Sequence, residues 1–170
     1  MTTLNEAYSA NTPITMDLSA LGTSATFVAG RESNEIDNTS NKYVDALVRG
    51  SIIVGTTPTL PCQLNVYVWG ADTSLATTPI DVLDGVDSAE TLTNTTVLTN
   101  ALVLAKAASI LVNTSNLTYY LSPFSVAALF GGIMPKFWGL FVAHNMTAAL
   151  KTDAGNTNSF SFNGITYTNA

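Results

Sequence analysis

The stretch Lys42–Ala71, KYVDALVRGSIIVGTTPTLPCQLNVYVWGA, decides the fold. Val44, Ala46 and Val48 fall on one phase of a two-residue period and Asp45 and Arg49 on the other; Ile52 and Val54 resume the first phase. Successive side chains of a strand point to opposite faces, so Lys42–Gly55 reads as a long strand with one face in a core. Gly50 inside it predicts a bulge or bend at which the strand changes sheet. Thr56–Pro61 is a turn or open loop. Gln63–Ala71 is the clearest strand, Leu64, Val66 and Val68 alternating with Asn65, Tyr67 and Trp69. Both of its faces carry large side chains, which predicts that one of them meets another chain.

Working outward, Thr12–Leu18 and Ser24–Gly30 read as short strands and Arg31–Asn41 as a polar loop. Asp72–Glu90 is a long irregular loop of the kind that carries binding functions. Thr91–Val112 reads either as a buried helix or as a strand pair; the Thr-rich flanks and Ser109 favour strands over Ala101–Ala107 and Ser109–Val112. Leu117–Leu121 and Lys136–His144 are further strands. Between them Ser122-Pro123 or Ser125 caps a helical turn through Phe130, which Gly131-Gly132 stops. Asn158–Tyr167 reads as a hairpin about an Asn163-Gly164 turn. Eight or so short strands separated by turn signals predict an all-β, antiparallel, jelly-roll-like β-sandwich with at most one short helix. Residues 1–11 are expected to form a flexible N-terminal arm and residues 12–170 a single domain.

Composition agrees with that class. Of the 170 residues 46% are hydrophobic and only 11% charged, with Thr, Asn and Ser filling the gap. A surface of hydroxyls and amides repels itself weakly and suits a protein that works inside an assembly. The net charge is −6 and the six cations, Arg31, Lys42, Arg49, Lys106, Lys136 and Lys151, are scattered. Nucleic-acid binding needs clustered cations, so no nucleic-acid partner is expected. The N-terminus lacks a basic, apolar leader and no run reaches about 18 apolar residues, so neither a signal peptide nor a membrane partner is expected. Cys62 is alone and reads as a small core residue.

Three blocks, ATFVAGRESNEIDN (Ala25–Asn38), IIVGTTPT (Ile52–Thr59) and SPFSVAALFGGIMPKFWGLFVAHNMTAAL (Ser122–Leu150), resemble a family of tailed-phage and prophage virion structural proteins of the head-gene region. The resemblance runs across most of the chain, and the block ending in FWGLFVAHN is its most specific part. It implies a capsid cement or decoration protein with a jelly-roll fold that sits on the outer capsid surface, at junctions of the major capsid protein, and stabilises the shell. The implied localisation is the virion, assembled in the host cytoplasm. The implied partner is the major capsid protein; a homodimeric or homotrimeric self-contact is expected separately, from the apolar, aromatic patch of the chain. The resemblance brings no catalytic motif, no cofactor and no individual site residues.

The residues themselves point away from an enzyme. His144 is the single histidine, next to no GxSxG elbow, and reads as structural. Asp81, Asp84, Asp87 and Glu90 recur in one loop, which leaves open a solvated acidic loop, a contact with a basic neighbour, or a calcium site whose spacing is not that of an EF-hand. Among the acids in expected strands, Asp17 and Asp45 are the pair a glycosidase would need. The aromatic set Tyr67, Trp69, Tyr119, Tyr120, Phe137 and Trp138 fits a core, an intersubunit interface or a sugar platform. With Phe124 and Phe130 it makes the candidate interface, and Leu117–Leu150, nearly free of charge, is the expected self-contact. The arm, the Arg31–Asn41 loop and the Asp72–Glu90 loop are the expected capsid contacts. Two other functions stay open: a carbohydrate-binding, lectin-like module of the virion surface, whose tryptophan fluorescence responds to glycan, and a tail or neck structural component.

Overall fold

The computed structural model describes residues 4–169. Two antiparallel sheets pack face to face. The first holds β1 (Leu4–Tyr8), β2 (Thr12–Ile14), β5 (Asp45–Ile53), β9 (Thr118–Ser125) and β11 (Phe160–Asn169). The second holds β3 (Ala29–Glu32), β4 (Ile36–Asp37), β6 (Cys62–Ala71), β7 (Ser88–Thr91), β8 (Val103–Ile110) and β10 (Phe137–His144). With β1 and β7 set aside and the interrupted β3–β4 taken as one strand, the first sheet runs β2-β11-β5-β9 and the second β3/β4-β10-β6-β8. In chain order these are first, eighth, third, sixth and second, seventh, fourth, fifth, the two interlocked Greek keys of a jelly roll.

The alternation of β5 works as the sequence predicts. Ala46, Val48, Ile52 and Val54 are buried between the sheets, and the register with β9 shifts between Val48 and Gly50. Two steps along β5 there match three along β9, so the extra residue lies in β9, between Leu121 and Phe124, and β5 stays in one sheet instead of passing to the other. Gly50 also makes room for a ring: a Cβ there would lie 2.5 Å from the Phe160 side chain. Strand β6 divides its residues between two cores. Leu64, Val66 and Val68 join the main core between the sheets. Tyr67 and Trp69 face outward, onto a second apolar layer built from Leu75, Leu83, Leu92, Leu98 and Leu102. That layer is the excursion from Asp72 to Leu102, folded back over the outer face of the second sheet. The second face of β6 is therefore covered by its own chain, not by another one.

Several boundaries differ from the sequence reading. Residues 4–8 of the expected arm form β1, paired along Ile165–Asn169, so this part is an edge strand; residues 1–3 lie outside the described residues. Ala25–Phe27 is a turn, and the second strand starts at Ala29. Arg31–Asn41 holds the end of β3 and all of β4. Among the described residues there are two α-helices rather than one. Asn94 caps α1 (Thr95–Asn100) through the Thr96 N–H, and β8 then runs without a break. Ser125 caps α2 (Val126–Leu129) through the Ala128 N–H, and Gly131 and Gly132 end it at positive φ, as expected. The hairpin at Asn163-Gly164 does not form: β11 is one continuous strand. Gly164 is needed there because the Tyr43 ring lies against it, where a Cβ would clash. The Asn-Gly pair answers a packing demand rather than a turn. No helix among the described residues is long and apolar enough to cross a membrane.

Candidate functional site

The groups with chemical potential are tied into the fold. His144 is buried, its Nε2–H donating to the Leu21 carbonyl at 2.9 Å while Nδ1 has no partner. Burial pushes its pKa below the ordinary value against the pull of that carbonyl, so the ring stays neutral. Asp17 and Asp45 do not meet. Asp17 accepts from the Ser19 N–H and the Thr157 hydroxyl; Asp45 accepts from the Ser125 hydroxyl and the Ala127 N–H.

The acidic loop is a set of local staples. Asp81 accepts from the Thr93 N–H and hydroxyl, which lowers its pKa. Asp84 accepts from the Val86 N–H, and Glu90 from the Ser88 hydroxyl. Asp87 pairs with Arg31 and accepts from the Asp17 N–H. The basic neighbour of this loop is thus inside the chain. Among the described residues no three His, Cys, Asp or Glu side chains gather into a group that can hold a metal ion. Sequence reasoning passed over Glu32, the buried acid that anchors this loop. Its carboxylate accepts from the Asp84 and Gly85 N–H groups at 3.1 and 3.0 Å. Burial outweighs those bonds, and with the nearby Asp84 and Glu90 charges it raises the pKa to about 7. The RESNE run gave no sign of this, because alternation places Glu32 on a face that only the returning loop covers.

The eight candidate interface aromatics part company. Trp69 and Trp138 have 0% exposure, and Tyr67 and Phe124 are also buried. Tyr119, Phe130 and Phe137 are half-buried against the two cores. These seven serve packing within the chain, and most of Leu117–Leu150 does the same. Tyr120 alone of the set stands in water, at 85% exposure. It lines an open groove of about 350 Å³ on the outer face of the first sheet, with Arg49, Ser51, Pro123, Ser159 and Ser161.

The other exposed apolar side chains lie at edges and tips. Ile133, in the Gly-Gly loop, and Leu111, in the turn after β8, are each 74% exposed. Leu4, Tyr8 and Tyr167 cluster on the β1–β11 pair. Directly opposite residues share a face, and the register sets Glu6 against Tyr167 and Tyr8 against Ile165. Phe160 and Phe162 point into the core, so by alternation Ile165 and Tyr167, with Leu4 and Tyr8 beside them on β1, lie on the outer side of the first sheet. The pairing of β5 with β11 stops at Ile165, so Thr166–Asn169 pair with β1 alone.

No known relative frames this surface. The chain matches no family model, no curated protein and no solved structure.

Proposed function

We propose that this chain is a non-catalytic virion structural protein, a cement or decoration protein that binds the outer capsid surface and stabilises the shell. The observation that carries this is the β1–β11 ribbon. A two-stranded ribbon is at best marginally stable in water, and an open edge invites a neighbour. This one projects Leu4, Tyr8 and Tyr167, each more than half exposed, from an otherwise closed jelly roll. Such a feature is stabilised when another protein covers it. The resemblance of Ser122–Leu150 to phage head-region proteins supports the major capsid protein as that partner.

The mechanism is additive burial. The rigid sandwich transmits no chemistry; it presents the ribbon, with Leu111 and Ile133 as further apolar points, to neighbouring capsid subunits. A stable contact buries roughly 1,200–2,000 Å² in total. Many symmetric copies then resist shell expansion through avidity rather than through single-site strength. The self-contact falls to edges and tips and not to the buried Leu117–Leu150 aromatics.

The test is co-sedimentation of heads lacking this protein with the wild-type chain and with a Leu4→Ser/Tyr8→Ser/Tyr167→Ser variant. Losing three apolar anchors is expected to cut retention by at least about ten-fold with the thermal midpoint almost unchanged. Equal retention of the two proteins removes the ribbon from the interface.

A further inference from the structure

We propose that the outer face of the β11–β5–β9 sheet is a saccharide-binding site, selective for a pyranose that carries a carboxylate. Three neighbouring strands build it. Ser51 on β5 is directly opposite Tyr120 on β9, and Ser161 on β11 is directly opposite Arg49 on β5. Phe160, Phe162 and Leu121 point into the core, so their neighbours Ser161 and Tyr120 point out. Strands are spaced about 4.8 Å apart and the two-residue offset from Arg49 to Ser51 adds about 7 Å along them, so Tyr120 and Ser161 stand about 12 Å apart, the span of about two sugar rings.

Each part has a role. The Tyr120 phenol is a flat, negative π-face open to solvent, the surface on which the C–H face of a sugar ring packs. The hydroxyls of Ser51 and Ser161 border it and suit ring hydroxyls as donors or acceptors. The hydroxyl of Ser159, in the same lining, is buried and has no hydrogen-bond partner among the described residues.

Arg49 sets the charge preference. Its Nη2 donates to Asn11 Oδ1 at 3.2 Å, and no carboxylate pairs with it among the described residues. No acidic residue lines the groove, in a chain of net charge −6. A guanidinium in the same groove as an aromatic platform, with one Nη2 donor on Asn11 and no carboxylate on the others, has donors left for a ligand carboxylate. The site is independent of the capsid assignment: it binds its probe whether or not the chain sits on a head.

The experiment is a titration of the whole ¹⁵N-labelled chain with galacturonic-acid trisaccharide and, in parallel, with neutral galactose trisaccharide, read by amide shifts. The acidic probe is expected to move Arg49, Ser51, Tyr120 and Ser161 and to bind about ten-fold tighter than the neutral one, the size of one charged hydrogen-bonding partner. Tyr120→Ala is expected to weaken both probes by about ten-fold or more, and Arg49→Gln to erase the preference while sparing the neutral probe. Both side chains are exposed, so the unaffected amides report that each variant is folded. Absence of shifts at millimolar probe, shifts confined to other faces, or unchanged binding by Tyr120→Ala overturns the site. Equal affinity for the two probes overturns the carboxylate preference.

Discussion

Replacing Glu32 by Gln should change how the stability of this protein depends on pH. In the folded chain Glu32 titrates at about 7, against 4.5 for an ordinary glutamate, because burial disfavours its charge more than the Asp84 and Gly85 N–H groups favour it. Between those values the folded state holds more protons than the unfolded state, so stability falls as pH rises through the window. The linkage amounts to about 2.5 kcal/mol between pH 5 and pH 8. For a chain of this length that is roughly 5–10 °C in thermal midpoint. His144 works the other way: its lowered pKa makes stability rise with pH up to the ordinary histidine value of 6.5. The comparison is therefore between wild type and variant at each pH, which cancels His144. Glu32→Gln keeps the volume and one acceptor, and exchanges the other for an amide that faces the Gly85 N–H, at about 1 kcal/mol near pH 5. Thermal unfolding followed by circular dichroism should show the variant less stable at pH 5 and gaining on wild type until it is the more stable at pH 8. Two curves that run parallel from pH 5 to pH 8 refute the buried-acid reasoning.

Gly50→Ala places a methyl 2.5 Å from the fully buried Phe160 ring and should cost about 1–3 kcal/mol by urea unfolding. Ser125→Ala removes the α2 cap and the 2.7 Å bond to Asp45, with an expected loss of about 1–2 kcal/mol on the same assay. Both tryptophans are fully buried, so acrylamide should quench the native fluorescence far less than the unfolded, and saccharide should leave it unchanged. This reverses the expectation that tryptophan reports glycan binding; tyrosine is the aromatic in reach.

The parts of the fold legible in the sequence are those set by local physics. Alternation in β5 and β6 fixed strands and faces, and Ser125 with Gly131-Gly132 bracketed α2 in its place. Where a tertiary contact overrode local preference, the sequence misled. Asn163-Gly164 has the chemistry of a tight turn, yet the Tyr43 ring required a glycine in mid-strand. Trp69 and Tyr67 looked like a face awaiting another chain, because nothing local shows that the excursion from Asp72 to Leu102 folds back to cover them. The same blindness hid Glu32. The groove at Tyr120 was half visible: the exposed phase of β5 carried Arg49, but only the register of β9 and β11 brings Tyr120, Ser51 and Ser161 beside it.

The most direct test of the capsid assignment is saturation of heads that lack this protein with increasing amounts of the wild-type chain, with bound copies counted per major capsid subunit after sedimentation. A plateau at one fixed ratio, with heads that then withstand heating or expansion better than bare heads, is the predicted result. Binding that never saturates, or a chain that stays in the supernatant, contradicts it.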